Sequence, residues 1–431
     1  MTSSIYRRRS FLKTSGALLA ASGTLGLVSG CATMGSGPKV VVVGGGFGGA
    51  TAAKYVRMWS DYGINVTLVE PNASFISCPI SNLVLGGSKS MADITTPYDN
   101  LAKRHGVNLV RDAVASIDAD KRVVKLAGGG ELAYDRLIVS PGVDFMWETL
   151  PGMNKPGAQD KVLHAWKAGA QTVALRRQLE AMPDGGVYAM SIPLVPYRCP
   201  PGPYERACQV ASYFKTAKPK SKVLILDANE DVTSKPALFK KAWADRYAGI
   251  IEYRSKHVAT DVDAATNTLK FEFNDDVKAA VLNVLPAMRA GEIAVKSGLA
   301  TSNKRWCEVD FLTFESKAAK NIHVLGDSIQ IAALMPKSAH MANQHGKTCA
   351  AAVVALLTGQ VPNDAPIYNN TCYSFVSADE VVHVASVHRY DAERKTMLTV
   401  PGAGGVSAVA SALEGAYALG WAQNIWADTL A

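Results

Sequence analysis

After a leader of 37 residues, the chain opens with an apolar run that is followed by glycines and an alanine-rich stretch. Four valines at 40–43 run directly into Gly44, Gly46 and Gly49. A second apolar segment, NVTLVEP, ends at Glu70 after the alanine-rich stretch. The order of strand, glycine turn, helix and strand predicts a βαβ unit of the dinucleotide-binding type.

The pattern of apolar segments is repeated further along the chain. The segment GGVYAMSIP at 185–193 predicts a strand, YERACQVASYFKTAK predicts an amphipathic helix, and SKVLILDANE at 221–230 predicts another strand. Two more buried strands are predicted in YDRLIVSPGVD at 134–144 and NIHVLGDSI at 321–329. The last two segments are similar to later FAD-contacting segments of glutathione-reductase-like flavoproteins.

We therefore predict an α/β fold with two Rossmann-like domains of the glutathione-reductase type and a smaller C-terminal α+β domain. The predicted bounds are a leader at 1–37, a discontinuous FAD-binding domain at 38–150 and 270–360, a second Rossmann-like domain at 151–269, and the C-terminal domain at 361–431.

The leader has its own pattern. A basic start is followed by the apolar run ALLAASGTLGLV, which is too short to span a bilayer, and by small residues. Arg8 and Arg9 precede Ser-Phe-Leu-Lys, which resembles a twin-arginine export signal. The leader predicts a periplasmic protein that is exported folded, with no transmembrane segment in the mature chain. Cys31 in VSGC also resembles a lipobox, so lipidation at Cys31 and plain cleavage near Ala32 both stay open.

Composition adds little beyond the fold class. The chain has 431 residues, 48% hydrophobic residues and a net charge of +8, and four of its basic residues lie in the leader. The mature chain is therefore only about +4, which argues against a nucleic-acid partner. The eight histidines show no spacing suited to a metal, and no metal site is predicted.

The first glycine turn has a physical reason at each position. Gly44 permits the tight turn, Gly46 lets the backbone approach a pyrophosphate, and Gly49 lets helix and strand pack closely. Glu70, about 20 residues further on, is placed to bind a ribose hydroxyl. With the later segments, which end in Pro141-Gly142 and in Gly326-Asp327, the pattern predicts FAD. Asp327 is either a ligand of the ribitol chain or a helix N-cap, or both.

The second βαβ unit lacks the glycine fingerprint. Its turn reads VPYRCPPGPYE, in which Pro200, Pro201 and Pro203 have no N–H to donate to a phosphate. Glu205 would repel a pyrophosphate, so no NADH site is predicted. The turn instead presents Cys199, and we expect Arg198 and the helix start to lower its thiol pKa. Glu205 is either a proton carrier or a charge that stabilises its own helix.

Several motifs together resemble the flavoprotein subunit of flavocytochrome c sulfide dehydrogenase. They are CPPGPYERA, HAWKAGAQT, MPKSAH, RWCEVDFLTFES and NTCYS, and the resemblance covers the chain from about residue 38 to its end. The pairing of CPPGPYE with NTCYS is highly specific.

The resemblance implies roles for individual residues. Cys199 and Cys372 correspond to a redox-active disulfide over the flavin, and Glu205 corresponds to the proposed proton carrier. Cys78 corresponds to the cysteine that binds FAD covalently, although Pro79 departs from the family pattern. Trp421 matches a residue on the electron route, while its simpler interpretation is an aromatic that buries the C-terminal segment.

The resemblance also implies a reaction and a partner. Sulfide would be oxidised to zero-valent sulfur or polysulfide, and electrons would pass to a c-type cytochrome subunit that carries the haem, because this chain has no C-x-x-C-H motif. Two alternatives stay open: a sulfide:quinone reductase, and an accessory redox flavoprotein of a thiosulfate-oxidising system.

Overall fold

In the computed structural model the described residues are 37–431. The valine run forms the middle strand of a parallel sheet, where β-branched side chains pack well. The sheet order within residues 37–431 is Ile322–Val324, Arg136–Val139, Lys39–Val43, Asn65–Val69 and Asn108–Val110. The export signal and the Cys31 alternatives lie outside the described residues.

A second parallel sheet is built from the repeated pattern. Its order is Ile251–Arg254, Lys222–Asp227, Val187–Ile192 and Val281–Val284. Two parallel sheets with helical connections confirm the predicted α/β fold.

One expected boundary differs from the structure. From the sequence we predicted that the second segment of the FAD-binding domain begins at residue 270. The strand Val281–Val284, however, pairs in parallel with Val187–Ile192 of the second sheet. Its burial on both faces, which is typical of a parallel strand, gave no sign of which sheet it joins. The second sheet therefore extends to residue 284.

The C-terminal part is an antiparallel sheet covered by helices. Its strands in the described chain are Ile367–Phe375, Val381–Asp391, Thr396–Thr399 and Gly405–Val406. The smaller antiparallel sheets comprise Ser74–Ile76 with Thr95–Pro97; Val114–Asp118, Val123–Leu126 and Glu131–Ala133; Val143–Phe145 with Met288–Ala290; and Ala259–Asp263, Thr268–Phe271 and Val277–Lys278.

Helices cover the faces of these sheets. Their bounds are Phe47–Trp59, Ser81–Gly86, Asp99–His105, Ala158–Lys161, Ala170–Ala181, Gly202–Ala217, Pro236–Arg246, Glu292–Lys296, Ala339–Leu357 and Ala412–Leu430. Within residues 37–431, no helix is both long and apolar enough to cross a membrane.

The helices Phe47–Trp59 and Ala339–Leu357 pack closely because small residues line their contact. A side chain at Gly346 would place its Cβ 2.6 Å from the carbonyl oxygen of Gly48. The second helix is capped by Ser338, whose hydroxyl accepts from the Met341 amide at 3.1 Å. The N-termini of both helices reach the pocket described next.

Candidate functional site

One cavity of about 750 Å³ runs from the first glycine turn to the C-terminal sheet. It brings together most of the residues predicted from sequence. The predicted residues that line it are Gly44, Gly46, Glu70, Cys78, Cys199, Glu205, Gly326, Asp327 and Cys372. Gly49 does not line the cavity. It lies behind the turn, where a Cβ would be 1.9 Å from the Gly44 carbonyl oxygen.

The glycine turn leaves room for a ligand. Gly44 adopts φ +95°, which favours glycine, and its N–H donates to the Val69 carbonyl at 3.0 Å. Gly46 has an ordinary φ of −69°, and a Cβ there would meet no atom within 4 Å. Because the space beside Gly46 is open cavity, the turn fits a pyrophosphate at the start of the helix.

Glu70 ends its strand beside this turn. One carboxylate oxygen accepts from the Gly45 amide at 2.8 Å, and the other accepts from the Asn72 amide at 2.9 Å and from the Asn72 side chain at 2.6 Å. Each carboxylate oxygen has more than one lone pair. The fixed carboxylate can therefore still accept a hydrogen bond from a ribose hydroxyl.

Asp327 lies just after the edge strand Ile322–Val324 of the first sheet and follows Gly326, which has φ +73°. The Oδ1 atom of Asp327 is buried, and no described residue gives it a hydrogen bond. Burial raises the pKa of this carboxyl, while Arg198 and Lys337 lower it. A buried acceptor that faces the cavity without a partner fits a hydroxyl of a bound ribitol chain.

Cys78 lies in the loop before the helix Ser81–Gly86. Its Sγ is 3.9 Å from the Trp166 carbonyl oxygen, and it faces the cavity while half-buried. The position next to the flavin-binding residues is compatible with the predicted covalent link, which stays a prediction.

The proline-rich turn holds Cys199 in a left-handed conformation with φ +59°. Its N–H donates to the Lys337 carbonyl at 2.8 Å, and its carbonyl accepts from Gly202 at 2.9 Å. A Cβ at Gly202 would lie 2.9 Å from the Cys199 sulfur and 2.7 Å from the Trp166 ring. The single glycine left in this turn therefore makes room for the sulfur.

Arg198 lowers the pKa of the Cys199 thiol as expected, but its effect is not the largest one. Burial, together with Cys372 and Glu205, raises the pKa of the Cys199 thiol above its usual range, although Arg198 and Lys235 oppose the change. Arg198 and Lys235 are outweighed because the sulfur is removed from water.

Cys372 lies on the strand Ile367–Phe375 and faces the same cavity. Both cysteines are free thiols in this structure. The side-chain amide of Asn370 donates to the Cys372 sulfur at 3.4 Å. Burial raises the pKa of Cys372, and Lys235 is the largest opposing influence.

Glu205 connects three elements. Its carboxylate accepts from the Asn82 side-chain amide at 2.7 Å and from the Phe375 backbone amide at 2.9 Å. Both donors lie outside the helix that carries Glu205. Burial raises the pKa of this carboxyl, and the two hydrogen bonds oppose the rise. A buried carboxyl with a raised pKa holds a proton more readily than a free glutamate does, as a proton carrier must.

Sequence reasoning missed several buried cations around the cysteines. Arg206 is 1% exposed, stacks on the Trp166 ring at 4.8 Å, and donates to the Asn82 side chain at 3.1 Å. It also donates to the carbonyls of His164 and Ala165 at 2.8 and 2.6 Å. An arginine inside the buried face of an amphipathic helix was the available signal. Lys235 and Lys337 had no comparable signal.

The second sheet has its own acid at the position equivalent to Glu70. Asp227 ends its strand and is fully buried. One oxygen accepts from the hydroxyls of Tyr204 and Tyr253 at 2.7 and 3.1 Å, and the other accepts from the Asn229 amide and side chain at 2.9 and 2.7 Å. The chain itself therefore occupies the place where a second dinucleotide would bind its ribose.

Aromatic side chains line the C-terminal end of the cavity. Trp421 and Tyr373 both face it, with ring centroids 6.0 Å apart, and His340 lies 5.8 Å from Trp421. Among residues 37–431, no three His, Cys, Asp or Glu side chains are grouped to hold a metal ion.

Three family models match different parts of the chain. Residues 38–184 match pyridine nucleotide-disulphide oxidoreductases. Residues 172–286 match the central part of the sulfide dehydrogenase [flavocytochrome c] flavoprotein chain, and residues 364–430 match the flavin-binding part of flavocytochrome c sulphide dehydrogenase.

Individual proteins agree with these families. A flavoprotein chain of sulfide dehydrogenase [flavocytochrome c] from Chlorobaculum thiosulfatiphilum is 63% identical over 46 residues, which are 11% of this chain and 94% of that one. The mitochondrial sulfide:quinone oxidoreductase of Mus musculus is 28% identical over 312 residues, 69% of this chain and 67% of that one. The mitochondrial protein of the same name from Dictyostelium discoideum is 23% identical, and the match spans 65% of its length.

Solved structures show the same fold at low identity. The sulfide:quinone oxidoreductase of Aquifex aeolicus superimposes with a TM-score of 0.75 at 18% identity and covers 91% of both chains. A chain of the putidaredoxin reductase–putidaredoxin complex gives a TM-score of 0.65 at 17% identity, covering 90% of this chain and 93% of that one.

Proposed function

We propose that the chain, which is similar to FAD flavoproteins of the flavocytochrome c sulfide dehydrogenase and sulfide:quinone oxidoreductase type, oxidises sulfide to zero-valent sulfur and passes the electrons to a c-type cytochrome subunit. The observation that carries this proposal is the shared cavity. It brings the flavin-binding turn, Cys199 and Cys372 together in one space.

The two cysteines supply the sulfur chemistry when they are paired as a disulfide. Hydrosulfide attacks one sulfur, forming a new S–S bond and expelling the other cysteine as a thiolate. A second hydrosulfide attacks the outer sulfur of the persulfide, carries it away at the zero-valent level as hydrogen disulfide, and leaves both cysteines reduced. Loss of two electrons from the reduced pair restores the disulfide. The net change removes two electrons and one proton from hydrosulfide. FAD, when bound, is the acceptor of the two electrons.

Glu205 is placed to take the proton. It lines the cavity with the cysteines, and burial raises its carboxyl pKa. Asn82 and Phe375 hold the carboxylate so that it cannot turn away from the cavity. The structure thus favours the proton-carrier role over stabilisation of its own helix.

The cytochrome acceptor and the periplasmic location rest on different features. The twin-arginine pattern at Arg8 and Arg9 supports export. Trp421 and Tyr373 give the cavity an aromatic wall on the C-terminal side, which suits electron exit to a docked haem protein. The helix that carries Trp421 is held to the body by Asp428, whose carboxylate accepts from Tyr55 at 2.6 Å and pairs with Lys347 at 2.8 Å.

A quinone acceptor is the second candidate. The similarity to sulfide:quinone oxidoreductases over about two thirds of the chain favours it. Mixing reduced protein with a c-type cytochrome and, separately, with a soluble quinone decides between them. Faster reoxidation of the flavin by cytochrome supports our proposal. Faster reoxidation by quinone would show that the acceptor is a quinone instead. An accessory role in thiosulfate oxidation predicts reduction by a sulfur-carrying protein and not by free sulfide.

The central test is stopped-flow absorbance after mixing purified protein with sulfide. We expect rapid bleaching of the flavin in the wild type and loss of bleaching in Cys199→Ser and Cys372→Ser. Cys349→Ser is the matched control, because Cys349 is fully buried outside the cavity. Equal bleaching in all four proteins would refute the disulfide mechanism.

The flavin link needs its own measurement. Acid precipitation of the wild type is expected to leave the yellow colour in the pellet, and Cys78→Ala is expected to release it into the supernatant. Release from the wild type would refute a bond to Cys78.

A further inference from the structure

Lys235 places a buried ammonium beside the cysteine pair. Its side chain is 6% exposed, and its Nζ donates to the Cys372 carbonyl and to the Ser374 hydroxyl, both at 2.9 Å. Both acceptors are neutral, so these hydrogen bonds hold the ammonium in place without compensating its charge. A buried cation that is hydrogen-bonded only to neutral groups is costly, and it stabilises negative charge nearby, whether on Glu205 or on the cysteine sulfurs.

Lys235 adopts a left-handed backbone conformation that lysine rarely takes. The residue has φ +55° and ψ +47° and directly precedes the helix Pro236–Arg246. Glycine or asparagine adopts this left-handed conformation more easily than lysine. Two residues earlier, the Thr233 hydroxyl lies 2.7 Å from the hydroxyl of Tyr197, which belongs to the Cys199 turn. The segment 233–235 therefore contacts the elements that carry both cysteines.

The charges near the two sulfurs differ. Around Cys372 the charged neighbours are Lys235 and Glu205, and Lys235 is the stronger influence. Around Cys199 the negative neighbours Cys372 and Glu205 outweigh Arg198 and Lys235. Burial lowers the pKa of Lys235 to about 8, while Cys372, Glu205, Cys199 and Glu414 raise it. Lys235 is thus a cation at neutral pH whose field is directed mainly at Cys372.

We propose that Lys235 is a positioning residue that stabilises negative charge on the Cys372 sulfur, so that in the reduced pair Cys372 loses its proton before Cys199 does. The inference rests on the proposed function, because it assigns roles within the same redox pair. Reduction of the disulfide by two electrons and one proton gives one thiol and one thiolate, and Lys235 decides where the charge resides.

Alkylation of the holoprotein tests this without sulfide or turnover. The protein is reduced with a phosphine, freed of reductant and treated with iodoacetamide across a pH series, and the peptides containing Cys199 and Cys372 are quantified by mass spectrometry. We expect Cys372 to be alkylated at lower pH than Cys199. In Lys235→Met the midpoint for Cys372 should rise by about one pH unit or more, roughly a tenfold loss of thiolate at neutral pH.

Three further variants separate charge from structure. Lys235→Arg keeps the charge and should preserve the order of alkylation, and Ser374→Ala removes one hydrogen bond but should leave the order unchanged. Lys240→Met removes an exposed lysine that pairs with Asp231 and is the matched control. Where Lys235→Met does not accumulate as folded protein, Lys235→Gln takes its place.

The outcomes are distinct from those of the sulfide test. Alkylation of Cys199 first, or equal midpoints in the wild type and Lys235→Met, overturns the assignment. A shift of both cysteines by the same amount also overturns it, since that indicates a general loosening of the site. If sulfide fails to reduce the flavin while the alkylation order and its dependence on Lys235 hold, the proposed substrate is wrong and the charge assignment stands.

Discussion

Gly49→Ala is the sharpest test of how the chain builds its flavin site. The added methyl would lie 1.9 Å from the Gly44 carbonyl oxygen and 3.3 Å from the Ser140 Cβ. Gly44 and Ser140 directly follow two adjacent inner strands of the sheet, and both contacting atoms are fixed to the backbone, so neither can rotate away. In a close-packed interior the turn or the helix must then move by about 1 Å.

The magnitude follows from that displacement. Overpacking of this kind costs about 1–3 kcal/mol. For a folded unit of roughly 400 residues, an unfolding entropy of about 2.1 cal/mol/K per residue converts this into a fall in Tm of about 1–4 °C. The displaced amides no longer meet the pyrophosphate correctly, so FAD binding should weaken at least about tenfold, which is about 1.4 kcal/mol.

Gly46→Ala is the matched control. Its methyl meets no protein atom within 4 Å, and its φ of −69° suits alanine. The Tm of the flavin-free protein should therefore stay unchanged, while FAD binding weakens because the methyl enters the cavity. Both variants are made in a Cys78→Ala background so that retention reports non-covalent binding. Flavin content after gel filtration and Tm by calorimetry are the measurements.

Two results would refute this reasoning. One is a Gly49→Ala protein with wild-type Tm and flavin content. The other is an equal loss of Tm in the flavin-free forms of both variants, since only position 49 contacts protein atoms.

Other predictions concern the buried polar groups. Arg206→Met should lower the free energy of unfolding in urea by about 3–5 kcal/mol, because it leaves buried acceptors without donors; a loss below about 1 kcal/mol contradicts this. Burial raises the Glu205 pKa, so flavin reduction by sulfide should increase with pH as Glu205 ionises and should lose this dependence in Glu205→Gln. Since ionisation is costlier in the folded state, wild-type stability should fall relative to Glu205→Gln as pH rises through the raised pKa. NADH should leave the flavin oxidised in a rapid-mixing experiment.

The fold was largely predictable because its signals are local. Valine runs, glycine turns and amphipathic helices follow one another in an order that only a few topologies accommodate. The boundary at residue 270 was wrong because Val281–Val284 is buried on all sides, and burial does not tell which sheet a strand joins.

The site was predictable in its members but not in its electrostatics. Motifs identified Cys199 and Cys372, yet the rise in the Cys199 pKa depends on burial by elements more than a hundred residues away. Lys235 was missed because its importance comes from a contact with Cys372, 137 residues further along the chain. Long-range desolvation and tertiary hydrogen bonds leave no local pattern in a sequence.

The buried Asp227 bears on whether this frame could take up a nicotinamide cofactor again. Restoring glycines to the turn at 193–202 would supply phosphate donors, yet a ribose would still have to displace the hydroxyls of Tyr204 and Tyr253 from Asp227. Tyr204 lies beside Glu205 on the helix that follows Cys199, so freeing the acid would disturb the sulfur site. Cofactor exchange in this chain therefore requires coordinated changes at the turn, at Tyr204 and at Tyr253, because both tyrosines bind the same carboxylate and Tyr204 shares a helix with Glu205.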